Sequence, residues 1–163
     1  MKDDNLHSIE DNDKLAYGKI AKNFFIAGGI GLIIALIPSL FVAVVRVRGN
    51  SMYPTYHEGQ TVLMRKVFID PTPGDIVVID KDGIDIIKRV IGCVGDTIEI
   101  KSGKVFINGE YYAEDYTNRG YSTKEPITVT DGKVYVLGDN RKESLDSREY
   151  GLIDIKNIKY IAF

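Results

Sequence analysis

The chain has 163 residues, which is enough for one domain together with a tail or an anchor. Its 21 basic and 23 acidic side chains nearly balance, which excludes the strongly basic surface expected of a nucleic-acid-binding protein. The single cysteine, Cys93, excludes an intramolecular disulfide. Because "RVIGCVGD" offers Cys93 no CxxC or histidine partner, we interpret it as a small packing residue.

A charged tail and a long apolar run open the chain. Residues 1–22 contain four lysines and five acidic residues, and we interpret them as a flexible tail. Phe24 to Val45 has 22 residues without a charge, and a helix rising about 1.5 Å per residue would extend roughly 33 Å over them. That length crosses a lipid bilayer core, so we predict a transmembrane helix over residues 23–45, with Pro38 as the place where it would kink.

Two alternatives to an uncleaved anchor are weaker. A buried helix of a soluble protein would normally carry a polar face. A cleaved signal peptide would have a shorter apolar region and would follow basic rather than acidic residues. The positive-inside rule leaves the orientation open, because Lys19 and Lys22 before the run balance Arg46 and Arg48 after it.

Residues 46–163 are typical of β-structure. Short runs rich in valine, isoleucine and tyrosine alternate with turn signals, as in "DIVVIDKDG", "IDIIKRVIG", "TIEIKSGKVFING" and "ITVTDGKVYVLGD". Ser102-Gly103, Asn108-Gly109 and Asp131-Gly132 each fit a tight hairpin turn. We predict a mainly β domain whose antiparallel sheet folds as a barrel or sandwich, with residues 111–126 as a long loop.

The stretch "VRGNSMYPT" places Ser51 directly after the apolar run and suggests a catalytic hydroxyl. A serine nucleophile needs a base, and the chain has only two histidines, His7 and His57. A transmembrane anchor would put His7 on the opposite side of the membrane from Ser51. His57 follows Ser51 by six residues in a turn-like stretch, where a solvated loop histidine is the usual outcome.

A lysine offers a better base. In the predicted strand "GIDIIKRVIG", Lys88 shares one face with Ile84, Ile86 and Val90. On this pattern alone, a lysine that reaches out to solvent is the commoner outcome. If Lys88 is buried instead, its pKa can fall by roughly 3 units from about 10.4, and a neutral amine can then act as general base for a serine.

Four motifs in order resemble those of bacterial type I signal peptidases, of the short, single-anchor kind typical of Gram-positive organisms. "GNSMYPT" resembles the family's nucleophile box, and "GDIVVI" (residues 74–79) its structural strand. "IIKRVIGCVGD" (residues 86–96) resembles its lysine box, and "GDNRKESLDSREYG" (residues 138–151) its C-terminal box. Together with the anchor, these motifs cover nearly all of the chain from Phe24 to its end.

The resemblance implies a role for several residues. Ser51 would be the nucleophile and Lys88 the general base, with the hydroxyl of Ser144 orienting the lysine. Asp146 and Arg148 would form a structural ion pair, with Asp139 and Asn140 in the turn beside it, and Arg89 would be structural. Gly49 stands where some members carry a serine that donates to the oxyanion, so here the oxyanion hole would rely on backbone N–H groups, chiefly that of Ser51.

The resemblance also implies a substrate and a location. The protein would cleave signal peptides from secretory pre-proteins at the outer face of the bacterial plasma membrane, with its tail in the cytoplasm. We expect the substrate to bind as an added β-strand along Asp85 to Ile87, and small side chains at −1 and −3 to enter shallow apolar pockets. The expected lining is Val47, Met52, Ile86 and Ile87, although Met52 and Ile86 are equally plausible as core.

No cofactor or metal is expected, because the sequence has neither a cluster of metal ligands nor a glycine-rich phosphate loop. Two other classes stay open at this point. Self-cleaving SOS repressors share a Ser-Lys dyad on a related β-fold, but the anchor and the acidic tail count against them. A non-catalytic, membrane-anchored β-module is the second, and an intact Ser51, Lys88 and Ser144 set argues against it.

Overall fold

The computed structural model describes residues 19, 22–32, 41–66, 70–118 and 120–163. The chain divides into two compact units, Met1–Phe41 and Val42–Phe163. In the first unit, residues 22–32 are α-helical and form α1. Across the described part of the chain, no helix is both long enough and apolar enough to cross a membrane. Residues 33–40 of the predicted anchor, with Pro38, lie outside the described residues, as do His7 and most of the tail.

The predicted C-terminal boundary of the transmembrane helix, at residue 45, is wrong. Val42–Arg46 forms strand β1, which pairs antiparallel with β2 (Thr61–Lys66), from Val42 opposite Arg65 to Arg46 opposite Thr61. The segment "VAVVR" is rich in β-branched side chains, which suit a pleated strand that has a partner. The β-structure therefore starts at Val42 rather than at residue 46.

The second unit is mainly β and antiparallel, as predicted, and its strands form two sheets. A seven-stranded sheet has the order β1-β2-β11-β3-β4-β9-β10 and adds these strands to the first two: β3 (Ile76–Lys81), β4 (Ile84–Gly92), β9 (Lys133–Leu137), β10 (Ile153–Asp154) and β11 (Ile158–Ala162). A four-stranded sheet has the order β7-β6-β5-β8: β5 (Thr97–Lys101), β6 (Lys104–Ile107), β7 (Glu110–Tyr112) and β8 (Lys124–Thr128). Helix α2 (Ser147–Tyr150) and a 3₁₀ turn (Ile155–Asn157) lie between the last strands.

Two of the three predicted hairpin turns are confirmed. Ser102-Gly103 joins β5 to β6 and Asn108-Gly109 joins β6 to β7, and the first residue of each turn has a positive φ, 48° and 54°. Asp131-Gly132 is a turn but not a hairpin, because it connects β8 of one sheet to β9 of the other. Asp82-Gly83 forms a further tight hairpin, between β3 and β4.

The predicted loop 111–126 is shorter than expected, since β7 and β8 occupy its two ends. Strand β8 contains Pro126, whose missing N–H would disrupt a central strand. Here β8 is the last strand of its sheet and pairs with β5 alone, so the proline is tolerated.

Two apolar clusters form the core of the β-unit. The first joins Val77, Ile79, Val90, Val134, Val136, Ile153, Ile158 and Ile161, and partly buried Cys93 packs against it, as the packing interpretation predicts. The second joins Ile91, Ile98, Ile100, Val105, Val129, Tyr135 and Leu137. Strand β4 contributes to both, which makes it a rigid support for the side chains at its other end.

Strand β4 is paired on both sides over only part of its length. Strand β3 pairs with it from Ile84 to Arg89, whereas β9 pairs with it only from Arg89 to Gly92. Residues 84–88 therefore have one strand edge without a partner in the described sheet.

Candidate active site

Ser51 and Lys88 lie together although 37 positions separate them in the chain. The Lys88 ammonium donates a hydrogen bond to Ser51 Oγ over 2.9 Å. Ser51 begins a turn in the loop between β1 and β2, here named the Ser51 loop (residues 47–60), and Lys88 extends from β4.

Lys88 is buried. The expectation from the strand pattern alone, that its side chain reaches solvent, is therefore wrong. The residue is 4% exposed and lies opposite fully buried Val77 of the neighbouring strand. Burial lowers the pKa of Lys88 to about 8, an effect that the Asp146 carboxylate opposes and the Arg148 charge reinforces. A lysine with this pKa has a substantial neutral fraction near pH 8 and can accept a proton there.

His57 lies apart from this pair, as the sequence predicts. It is exposed, and its ring packs edge-to-face on Tyr53 with 5.2 Å between centroids. No hydrogen bond joins the His57 ring to Ser51 among the described residues.

The ion pair expected between Asp146 and Arg148 is present. Arg148 Nε donates to Asp146 Oδ1 over 2.8 Å and Arg148 Nη2 to Oδ2 over 2.9 Å. Burial by itself raises the pKa of Asp146, but hydrogen bonds from Arg148 and from the Gly138 N–H hold it below its usual value. Arg148 also donates to the carbonyls of Arg141 and Ser144, over 2.8 and 3.0 Å. The pair thereby braces the C-terminal box (residues 138–151).

Ser144 does not make the expected hydrogen bond to Lys88. Its Oγ is buried and has no hydrogen-bond partner among the described residues. The hydroxyl helps to lower the pKa of the Asp146 carboxyl, although the two groups do not form a hydrogen bond. Ser144 nevertheless lies beside the site, because a Cβ added to Gly138 would meet both Ser144 Oγ and the Ser51 carbonyl oxygen.

A second buried ion pair, Arg89–Asp139, was not anticipated from the sequence. Arg89 Nε and Nη2 donate to the two Asp139 oxygens over 2.9 and 2.6 Å, and Arg89 Nη1 donates to the Gly74 carbonyl over 2.9 Å. The Thr55 hydroxyl donates to the same carboxylate. All four motif boxes are joined here, and the only sequence signal for the contact was that Arg89 and Asp139 both lie in motif boxes.

A cleft of about 700 Å³ opens beside Ser51 and Lys88. Three residues expected to bind substrate line it, namely Asp85, Ile86 and Ile87, which belong to the unpartnered edge of β4. The other two, Val47 and Met52, do not line this cleft. They are 2% and 1% exposed and belong to the core, because the Ser51 loop turns these apolar side chains inward.

Backbone geometry at the Ser51 loop fits an oxyanion site made of main-chain donors. Gly49 has a φ of +76°, which favours glycine, and an added Cβ there would have open space around it. Within the described residues, the Ser51 N–H donates to no acceptor.

Comparison with known proteins decides the family. A model of the family described as "Signal peptidase, peptidase S26" matches residues 19–162. The chain belongs to this signal peptidase family. As an S26 signal peptidase it is a hydrolase, and the self-cleaving repressor and non-catalytic alternatives are set aside.

Individual relatives agree with the family assignment. Signal peptidase I S of Bacillus subtilis (strain 168) is 36% identical over 146 residues, which cover 79% of each chain. Signal peptidase I of Bacillus licheniformis is 37% identical over 129 residues, which cover 69% of each chain. A crystal structure of a signal peptidase I from Enterococcus faecalis V583 aligns with a TM-score of 0.50 and 28% identity, covering 60% of this chain and 100% of that one.

Proposed function

We propose that this peptidase removes N-terminal signal peptides from secretory pre-proteins, with Ser51 as nucleophile and Lys88 as general base. The observation that carries the proposal is the 2.9 Å contact between Lys88 Nζ and Ser51 Oγ at a lysine whose pKa burial lowers to about 8. An ordinary lysine would be protonated near neutral pH and could not accept the serine proton.

The chemistry starts from neutral Lys88. Ser51 Oγ attacks the scissile carbonyl carbon, its proton passes to Lys88 Nζ, and the carbonyl π electrons move to the oxygen. When the tetrahedral intermediate collapses, the C–N bond breaks and Lys88 gives its proton to the leaving amine. Water then attacks the acyl-enzyme carbonyl and gives a proton to Lys88. The C–Oγ bond breaks, Lys88 returns the proton to Ser51 Oγ, and the signal peptide leaves with a new carboxylate.

The edge of β4 supports a mode of substrate binding. An extended peptide added beside Asp85 to Ile87 would hydrogen-bond to a strand edge that has no partner in the described sheet. Ile86 and Ile87 line the cleft and would make its wall apolar, in keeping with small residues at −1 and −3. Ser51 and Lys88 line the same cleft, so such a peptide would pass them.

Ser144 and the Asp146–Arg148 pair are assigned supporting roles. Buried hydroxyls usually have a hydrogen-bond partner, and Ser144 Oγ has none among the described residues. The Lys88 amine keeps a donor beyond its bond to Ser51. We assign Ser144 the task of orienting Lys88, and the ion pair that of bracing the C-terminal box.

The family is membrane-associated, and we further propose the single-pass arrangement. Residues 23–41 would belong to the anchor, residues 1–22 to a cytoplasmic tail, and the β-unit to the extracytoplasmic face of a bacterial plasma membrane. The apolar composition of Phe24 to Phe41 supports this arrangement. Ser51 follows Phe41 by ten residues, so the chain cannot carry it farther than about 35 Å from the anchor's end.

The test is cleavage of a peptide that spans a signal-peptide cleavage site. Ser51→Ala and Lys88→Ala should each abolish cleavage, and Ser144→Ala should lower kcat by about 10- to 1,000-fold, or roughly 1.4–4 kcal/mol of barrier. His57→Ala is the matched control and should retain most of the activity. A folded His57→Ala protein without activity would overturn the assignment of the base.

A further inference from the structure

Asn140 holds two carbonyl groups of the Ser51 loop. Its backbone N–H donates to the Ser51 carbonyl over 3.0 Å, and its side-chain Nδ2 donates to the Asn50 carbonyl over 3.1 Å. Asn140 is 4% exposed, and its bond to the Asn50 carbonyl is partly buried. The two carbonyls flank Ser51 on either side.

The Asn140 side chain has a defined orientation. Its Oδ1 accepts from Asn118 Nδ2 over 3.3 Å, which leaves Nδ2 as the group that faces the Asn50 carbonyl. Asn118 is itself held by main-chain bonds, because its N–H donates to the Asp139 carbonyl and its carbonyl accepts from the Arg141 N–H. Hydrogen bonds at its oxygen and at its nitrogen therefore fix the Asn140 side-chain amide against the Ser51 loop.

The Asn50 carbonyl and the Ser51 N–H belong to the same peptide unit. The one cis peptide bond among the described residues is Tyr53–Pro54, so the Asn50–Ser51 unit is trans. A trans peptide is planar, with its C=O and N–H pointing in opposite directions. A contact that holds the carbonyl on one side thereby sets the direction of the N–H on the other.

We propose that Asn140 is a positioning residue that aims the Ser51 N–H at the oxyanion formed during cleavage. The inference rests on the proposed Ser51–Lys88 chemistry and adds a residue to it. Asn140 does not touch the substrate. It acts through the Asn50–Ser51 peptide, and a hydrogen bond to the carbonyl also polarises that peptide and strengthens its N–H as a donor.

The expected effect is smaller than the loss of a direct donor. The Asn50 carbonyl also accepts from the Tyr53 N–H over 3.1 Å, and that bond would survive a change at Asn140. Losing a direct oxyanion donor typically costs about 100- to 1,000-fold in kcat. For a donor that is still present but less well aimed, we expect a fall of about 10-fold.

The experiment compares Asn140→Ala with a matched control, Ser147→Ala, in the full-length chain. Ser147 is equally buried in the same C-terminal box, and its Oγ accepts from the Val136 N–H over 2.9 Å without touching the Ser51 loop. Each change removes one side-chain bond to the backbone, and Asn140→Ala also removes the bond from Asn118, so both should lower the unfolding midpoint. Only Asn140→Ala should lower kcat, with KM changing less than about 2-fold.

A pair of inhibitors separates positioning from general structural damage. A peptide aldehyde reacts with Ser51 Oγ to form a tetrahedral adduct whose oxygen occupies the oxyanion position. The matching peptide alcohol cannot form that adduct. In Asn140→Ala, affinity for the aldehyde should fall by the same factor as kcat/KM, whereas affinity for the alcohol and the pH midpoint of activity should stay unchanged.

The outcomes are distinct. An unchanged kcat in folded Asn140→Ala, an equal loss of affinity for both inhibitors, or an equal loss of kcat in Ser147→Ala would each overturn the proposal. Activity in Ser51→Ala or Lys88→Ala would instead overturn the dyad on which it rests.

Discussion

Gly138 packs so closely against Ser51 that a Cβ added at Gly138 would lie 2.6 Å from the Ser51 carbonyl oxygen. The same Cβ would lie 2.1 Å from Ser144 Oγ. The first residue of the C-terminal box is therefore in contact with the proposed nucleophile and with the serine proposed to orient its base. A side chain at Gly138 has no space without moving one of them.

Gly138→Ala should displace the Ser51 backbone and lower kcat/KM by about 100-fold, since misplacements near 1 Å have effects of that size. Overpacking should also lower the free energy of unfolding by about 1–3 kcal/mol. Gly120→Ala is the control, because a Cβ there would make only ordinary contacts of 3.4 Å with Arg141. Peptide kinetics and denaturant unfolding measure both effects, and full activity in Gly138→Ala would contradict the contact.

Activity should rise with pH through the pKa of Lys88. Since burial lowers that pKa to about 8, Lys88 is mostly protonated at pH 6 and mostly neutral at pH 10. Steady-state kcat/KM measured from pH 6 to 10 should therefore follow a single ionisation with its midpoint near 8. A flat profile would contradict a titrating lysine.

Lys88→Met should be inactive but more stable than the wild type at pH 7. Displacing the lysine pKa from 10.5 to about 8 corresponds to about 3 kcal/mol of destabilisation, present in full below pH 8. Between pH 8 and 10.5 the unfolded chain holds the proton that the native state has released, so wild-type stability rises with pH and the difference shrinks. Urea unfolding at pH 7 and pH 10 tests this. If the stability difference between Lys88→Met and the wild type were the same at pH 7 and pH 10, ionisation of Lys88 could not be its cause.

Asp146→Asn should shift the activity profile to lower pH. The Asp146 carboxylate raises the pKa of Lys88 and the Arg148 charge lowers it, so removing the carboxylate moves the lysine pKa down. Breaking the buried pair should also lower stability by about 3–5 kcal/mol, so the profile is measured at low temperature on protein shown to be folded. A shift to higher pH would contradict the assigned electrostatics.

Deletion of residues 1–41 and deletion of residues 1–46 should have different consequences. The shorter deletion leaves β1 in place, and we expect a folded peptidase that no longer sediments with membranes. The longer deletion removes β1 and makes β2, still paired with β11, the exposed edge strand of the sheet, which should lower the unfolding midpoint and promote aggregation. Membrane fractionation and thermal unfolding measure the two effects. Unchanged membrane association without residues 1–41 would contradict the proposed anchor.

Local features of this protein could be predicted from the sequence because neighbouring residues determine them. Alternating valine and isoleucine runs predicted the strands, and the Asn108-Gly109 and Ser102-Gly103 pairs predicted hairpins whose positive φ angles depend on the turn residues themselves. The four motif boxes predicted the family and singled out Ser51 and Lys88, because their spacing is a property of the chain alone.

Only the tertiary structure decided what depends on distant partners. The burial of Lys88 depends on Val77 of another strand, and its lowered pKa follows from that burial. "VAVVR" becomes a strand because β2 lies beside it, and Asp131-Gly132 is not a hairpin because its flanking strands join different sheets. The pairing of Arg89 with Asp139 spans 50 positions, and no local pattern encodes a contact between side chains that meet only when the sheet has formed.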